Sequence, residues 1–166
     1  MRPAVVMDTN VAIVANAQTP QAGIQCVQAC IQALKRIRAE QRLLLDQNGL
    51  ILEEYRHHLS PAGQPGPGDA FFKWLWYNQA NERYCRRVPL TPASEDDRTF
   101  VEFPDDPDLV RFDRSDRKFV AVALASAEDA PILNASDTDW YIFREALTRH
   151  HVLVQDICPE LMAAHR

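Results

Sequence analysis

The sequence has no long apolar run and no excess of positive charge. None of its apolar stretches approaches the roughly 20 residues that a membrane-spanning helix needs. Asp8 interrupts the apolar start, so we expect neither a membrane span nor a signal peptide. The formal net charge of −5 argues against a protein that coats nucleic acid indiscriminately. It does not exclude an enzyme that acts on nucleic acid, because catalytic carboxylates themselves lower the net charge.

The four cysteines lack every local spacing that is typical of a zinc site. No CxxC pair and no Cys/His zinc pattern occurs. Cys26 and Cys30 lie one helical turn apart, which usually indicates buried packing on one helix face, and Cys85 and Cys158 are remote from them. We therefore expect free thiols and a reducing, cytoplasmic setting.

Short apolar runs alternate with amphipathic segments along the whole chain. The 166 residues, without repeats or a linker, predict a single domain spanning 1–166. Strands are predicted at 4–7, 43–45, 85–90, 131–135 and 152–155. Helices are predicted at 19–40 with Thr19 as N-cap, from 50 to 59, from 71 to 77 with an aromatic face, at 115–127 and at 141–149. The alternation predicts an α/β fold, a three-layer α/β/α sandwich around a mainly parallel sheet.

Acidic side chains follow two of the predicted strands and stand in or before two of the helices. In chain order they are Asp8, the adjacent Glu53 and Glu54, Asp116, and Asp137 with Asp139. Ligands bind open parallel sheets beyond the carboxyl ends of strands, so these side chains can converge. Converging carboxylates repel one another unless a cation or protons neutralise them. Oxygen ligands of this kind suit a hard divalent cation.

Four segments, taken in order, resemble the PIN domain family of metal-dependent nucleases. They are residues 5–10 (VVMDTN), 51–56 (ILEEYR), 116–123 (DRKFVAVA) and 134–140 (NASDTDW). The first is similar to the family's opening strand ending in Asp-Thr-Asn or Asp-Thr-Ser. The second and third resemble its early helix with an embedded Glu and its helix opening with Asp. The fourth resembles its Thr-Gly-Asp-x-Asp segment at a strand end, so the likeness covers nearly the whole chain.

The resemblance implies a PIN-like fold and hydrolysis of phosphodiester bonds, most often in RNA, with Mg²⁺ or Mn²⁺. The catalytic residues it implies are Asp8, Glu54, Asp116 and Asp137. The metal ligands are Asp8, Asp116, Asp137 and Asp139. Glu53 competes with Glu54 for one role, because adjacent helix residues point about 100° apart, and the family pattern favours Glu54.

Polar residues beside these acids are candidates for binding substrate. Arg114, Arg117 and Lys118 flank Asp116, and we expect them to grip phosphates. Asn10 orients Asp8 or a phosphate, or it only shapes the turn after the first strand. Asp113 is expected to cap a helix, with an approach to the metal through a water as the alternative. The histidine pairs 57–58 and 150–151 lack ligand partners at suitable spacing and are expected at the surface.

Three functions remain open from the sequence. The leading one is a metal-dependent endoribonuclease, acting as the toxin of a toxin–antitoxin pair or as a defence effector. RNA is then the substrate, and an antitoxin or a second copy of the chain is the protein partner, with no membrane involved. The second is a catalytically silent PIN-like binding or assembly module. The third is an aspartyl-phosphate enzyme with Asp8 as nucleophile, although such enzymes want an acid where Asn10 stands.

Overall fold

The computed structural model describes residues 1–93, 95 and 98–163. Within these residues, five strands form one fully parallel sheet in the order β3-β2-β1-β4-β5. The strands are β1 (Ala4–Met7), β2 (Arg42–Asp46), β3 (Cys85–Val88), β4 (Ile132–Asn134) and β5 (Val154–Asp156). β1 is central, with β2 and then β3 on one side and β4 and then β5 on the other.

Helices connect the strands and cover the sheet. In the described part of the chain they are α1 (Asn10–Ala15), α2 (Ile24–Glu40), α3 (Leu50–His58), α4 (Pro67–Asn78), α5 (Arg117–Ser126), α6 (Asp139–Ile142), α7 (Arg144–Arg149) and α8 (Pro159–Ala163). The predicted α/β/α sandwich with a parallel sheet is confirmed.

The core lies on the strands that the sequence marks as fully apolar. All four residues of β1 are buried, and so are Leu43, Leu44 and Leu45 of β2. Strands covered by helices on both faces have no polar side, which explains why these runs show no alternation. Seven of the ten residues of α5 are buried as well, so this helix also packs with little polar surface.

Helix boundaries are where the predictions fail. The helix predicted to begin at Thr19 begins at Ile24, because the Thr19 carbonyl accepts a hydrogen bond from the Ala22 N–H and closes a turn first. The helix predicted at 141–149 is two short helices that meet at Phe143. The helix α1 was not predicted at all, because its six residues, NVAIVA, are apolar apart from the first and carry no polar face.

The cysteines also depart from expectation. Cys26 of α2 forms a disulfide with Cys158, in the segment between β5 and α8, and the expectation of free thiols is wrong for this pair. The two are 132 residues apart, so spacing alone cannot reveal the pairing. Cys30 and Cys85 are free and buried. None of the helices in the described residues is both long and apolar enough to span a bilayer.

Candidate metal centre

The strand order reverses beside β1, and the predicted acids meet there. The chain runs outward from β1 through β2 to β3, and then returns to β4 on the other side of β1. Such a reversal opens a crevice at the carboxyl ends of the two strands, where parallel α/β sheets bind ligands. Asp8 directly follows β1, and Asp137 lies three residues beyond β4. Both side chains therefore belong to the same crevice.

Three carboxylates converge in this crevice. Asp8, Asp116 and Asp137 each offer an oxygen, and these oxygens lie within 4.8 Å of one another. Asp116 is the last residue of the 3₁₀ turn Arg114–Asp116, directly before α5. Asp8 is only 5 % exposed and Asp116 7 %, so water does little to screen their mutual repulsion.

A second group of carboxylates shares Asp116. Asp113, Asp116 and Asp139 also offer oxygens within 4.8 Å of one another. Asp113 caps the 3₁₀ turn as predicted, because its Oδ1 accepts a hydrogen bond from the Ser115 N–H at 2.9 Å. The four predicted metal ligands therefore fall into two overlapping groups, and Asp139 meets Asp116 rather than Asp8 in the described residues. The arrangement can hold one cation, or two that share Asp116.

Burial and crowding change the acidity of these groups. Burial raises the pKa of Asp8 to about 7, although hydrogen bonds from Asn10 and Trp140 oppose it. The pKa of Asp116 is raised to about 9. Burial is the largest cause, and repulsion from Asp8, Asp137 and Asp113 adds to it. The pKa of Asp139 is raised too, mainly by burial and then by Asp137. Without a cation, protons must neutralise part of the cluster at neutral pH.

Two N–H groups fix the Asp8 carboxylate. Its Oδ1 accepts from the Asn10 backbone N–H at 3.0 Å, and its Oδ2 accepts from Trp140 Nε1 at 2.7 Å. The Trp140 ring is fully buried. With both oxygens engaged and little exposure, Asp8 is poorly placed to attack a phosphate itself, which counts against an aspartyl-phosphate enzyme.

The Trp140 hydrogen bond can be tested directly. Trp140→Phe removes the donor and leaves the ring packing largely in place, so we expect the pKa of Asp8 to rise. A hydrogen bond to a charged group contributes about 1.5 to 3 kcal/mol, which corresponds to a pKa higher by about 1 to 2. Carboxyl-carbon NMR titration of the metal-free protein measures it. An unchanged Asp8 titration would show that this bond does not stabilise the ionised form.

The structure distinguishes the two adjacent glutamates of α3. Glu54 lies at the site, where its Oε1 accepts from Lys118 Nζ at 2.7 Å and its Oε2 accepts from the Thr9 hydroxyl. Glu53 lies on the solvent side and pairs with Arg56 at 3.7 Å and with His57 at 3.8 Å. Among the described residues, Glu54 belongs to neither carboxylate group, but its charge still raises the pKa of Asp8 after the larger effect of burial.

The predicted phosphate-binding cations have protein partners. Lys118 is only 8 % exposed and donates to Glu54 and to the Ser115 carbonyl. Arg117 donates to the Val110 carbonyl at 2.9 Å. These contacts already use part of the donor capacity of both side chains, and their binding of substrate stays a prediction.

Arg114 is exposed, whereas Arg117 is half-buried and Lys118 is buried. Arg114 donates to Thr99 Oγ1 at 3.2 Å and, together with Lys118 and Glu54, lines a groove of about 290 Å³. The same groove is lined by Leu50 and Phe100. The groove therefore combines apolar side chains with charged ones beside the carboxylate cluster, as ligand-binding grooves commonly do.

A pair of asparagines holds the two strand ends together. Asn10 Nδ2 donates to Asn134 Oδ1 at 2.9 Å, and Asn10 Oδ1 accepts from the Ala135 N–H at 2.8 Å. Asn134 Oδ1 also accepts from the Asp137 N–H at 3.1 Å. Asn10 therefore positions the ligands, with both polar groups of its side chain used within the protein. Asn134 was not predicted as a site residue, although the sequence does show an amide side chain directly after the apolar residues Ile132 and Leu133.

Comparisons with known proteins give no match. No protein-family model, no curated protein and no solved structure matches this chain. The likeness to PIN domains therefore depends on the four sequence segments, and function has to be assigned from the fold and the chemistry of the carboxylate centre.

Proposed function

We propose that this chain is a divalent-metal-dependent nuclease of the PIN type that hydrolyses phosphodiester bonds in RNA. The observation that carries the proposal is the convergence of Asp8, Asp116 and Asp137 within 4.8 Å at the reversal of strand order. Crowded, buried carboxylates are costly to keep ionised, so their presence together favours a cation that neutralises them.

The chemistry of the donors fits Mg²⁺ or Mn²⁺. Every candidate ligand in the two groups is a carboxylate oxygen, which hard cations prefer, and no sulfur or imidazole takes part in them among the described residues. Asp8, Asp116 and Asp137 would hold the cation, and Asp113 and Asp139, which meet at Asp116, would be available for a second one. When bound, such a cation lowers the pKa of a coordinated water and stabilises charge on a phosphate.

The other residues of the site have positioning roles in this proposal. Trp140 and the Asn10 N–H orient the Asp8 carboxylate, and Asn134 holds the loop that carries Asp137. Glu54, held by Thr9 and Lys118 at the margin of the cluster, is the group we assign to orienting the attacking water.

We further propose a cytoplasmic nuclease of the toxin or defence-effector kind. RNA is then its substrate, and an antitoxin protein or a second copy of the chain is its protein partner. The four sequence segments that resemble PIN domains support this part of the proposal.

Metal dependence and the pair Glu53 and Glu54 provide the test. We expect cleavage of a mixed RNA pool with Mn²⁺ or Mg²⁺, and none with excess chelator. Glu54→Gln should lower the cleavage rate by about 10- to 100-fold, as loss of a group that orients a metal site does. Glu53→Gln is the matched comparison: Glu53 lines the outer part of the same groove, but its side chain is 55 % exposed and pairs with Arg56, so this variant should lose much less of the cleavage rate. Full cleavage in excess chelator contradicts the metal-nuclease proposal, and equal rates for the two variants remove Glu54 from the mechanism.

A further inference from the structure

Three cysteine sulfurs meet in the core, in a cluster that shares no residue with the carboxylate groups. Cys26 and Cys30 lie one turn apart on α2, and Cys158 approaches them from the segment before α8. Their Sγ atoms all lie within 4.8 Å of one another, and the three residues are at most 2 % exposed. A disulfide uses two of them, so it does not account for the third.

We propose that, in the reduced protein, Cys26, Cys30 and Cys158 form a three-thiolate binding site for Zn²⁺. The Cys26–Cys158 disulfide is then the oxidised, metal-free form of the same site. This inference does not rest on the nuclease proposal, because sulfur ligands select zinc over Mg²⁺ and Mn²⁺.

The geometry of the sulfurs fits tetrahedral zinc. With Zn–S bonds of about 2.3 Å, tetrahedral ligands place neighbouring sulfurs about 3.8 Å apart. Cys30 Sγ already lies 4.0 Å from Cys158 Sγ. In the proposed zinc site the Cys26 and Cys158 sulfurs, freed by reduction of the disulfide, would separate to the same distance. Cys26 and Cys30, at i and i+4, present their sulfurs on one face of α2.

The three sulfurs leave the fourth position of the tetrahedron open. Zinc sites with three protein ligands commonly complete their coordination with a water, and we assign a water to that position here.

The two forms interconvert by a balanced reaction. A dithiol reductant gives two electrons and two protons to the Cys26–Cys158 disulfide and leaves as its own disulfide, so that two protein thiols form. Zn²⁺ then replaces the protons of all three thiols, which pass to solvent. In a cytoplasm, where such reductants keep thiols reduced, the metal-binding form is the expected one.

Cobalt is the probe for this site, because Co²⁺ bound by thiolates shows a charge-transfer band in the near ultraviolet and Co²⁺ bound by carboxylates does not. The full chain is reduced with a dithiol, freed of it under argon and titrated with Co²⁺. We expect one equivalent to produce the band and Zn²⁺ to abolish it. The oxidised protein should show no band.

Matched cysteine variants locate the ligands. Cys30→Ser should lose the band, and Cys30→Ala serves as a second variant in case the serine hydroxyl disturbs the core. Cys85→Ser is the control, because Cys85 is the other free, buried cysteine and lies outside the cluster, so it should keep the band. Circular dichroism confirms that each variant is folded. The Asp116→Asn variant should also keep the cobalt band, which would show that the band does not arise from the carboxylate centre.

Three outcomes would overturn the proposal. One is a reduced wild-type protein without the band. Another is a folded Cys30→Ala variant that retains it at full intensity. The third is a Cys30–Cys158 disulfide found by non-reducing peptide mapping together with no cobalt band, which would make the three cysteines a thiol–disulfide exchange group.

Discussion

Asp116→Asn will abolish metal-dependent cleavage and, at pH 8, make the metal-free protein more stable. Asp116 belongs to both carboxylate groups, so its loss removes a ligand from each. Changing a group that merely orients a metal ligand costs 10- to 100-fold, and losing the ligand itself should lower the cleavage rate by more than about 100-fold. The gain in stability follows because the pKa of Asp116 is raised to about 9, chiefly by burial, and ionising it at pH 8 works against folding.

The asparagine is a good mimic of the neutral acid at this position. The Asp116 carboxyl, when protonated, hydrogen-bonds Asp137, and a carboxamide N–H can donate in the same direction. We expect the free energy of unfolding to rise by about 1 to 2 kcal/mol in the presence of chelator. Each unit of pKa shift corresponds to about 1.4 kcal/mol. The gain is smaller than the whole shift of Asp116 would give, because Asp116 and Asp8 titrate together.

Asp8→Asn should behave differently, although it also removes a ligand. Both oxygens of Asp8 accept hydrogen bonds from N–H donors. In the asparagine variant the NH₂ group would replace one of these oxygens, so two donors would face each other, either at the Asn10 N–H or at Trp140 Nε1. We expect activity to be lost without a gain in stability. Asp105→Asn, on the exposed loop before Pro107, is the control for removing one negative charge. Urea unfolding at pH 8 measures all three. A large loss of stability in Asp116→Asn would identify Asp116 as a structural cap and not a metal ligand.

The stability of the metal-free protein should fall as the pH rises from about 4 to 9. Asp8 and Asp116 bind their protons more tightly in the folded state, because burial raises the pKa of Asp8 to about 7 and of Asp116 to about 9. Their stabilising contribution is complete below the unfolded pKa near 4 and is lost as the pH passes through these folded values. We expect a total loss on the order of 3 kcal/mol, less than the two shifts would give separately, because the groups titrate together.

Divalent metal should reverse this trend. Mg²⁺ or Mn²⁺ competes with protons for the same oxygens, so the stability gained on adding metal should grow between pH 6 and pH 9. Unfolding at pH 5, 7 and 9, with chelator and with Mg²⁺, measures both effects. Asp116→Asn should show a flatter pH profile in chelator. A wild-type protein whose stability in chelator rises toward pH 9 would contradict the raised pKa values and the crowding behind them.

The fold and the main acids were predictable because they follow from local rules. β1 and the central residues 43–45 of β2 are apolar, and such short apolar runs are typical of strands buried on both faces of a parallel sheet. Asp8 and Asp137 come together because they follow neighbouring strands at a reversal in strand order, which is a rule of topology. Asp116 could be placed because an acid in front of the apolar helix α5 is visible in the sequence.

The rest depends on contacts between distant parts of the chain. The bond between Asn10 and Asn134 spans 124 residues, and the ion pair of Lys118 with Glu54 spans 64. Nothing in the sequence near Lys118 shows that its ammonium group pairs with a glutamate. The meeting of the three cysteines is hidden in the same way, because two of the sulfurs come from one helix and the third from the other end of the chain.

The order of the strands also determines how this protein avoids joining its sheet to that of another molecule. β3 and β5 are the two edges, where unpaired N–H and C=O groups would accept a foreign strand. β3 carries Arg86 and Arg87 side by side, and β5 is three residues long. Charged and very short edge strands resist aggregation through strand addition. The addition of a strand from a second molecule is therefore unfavourable at both edges of the described sheet.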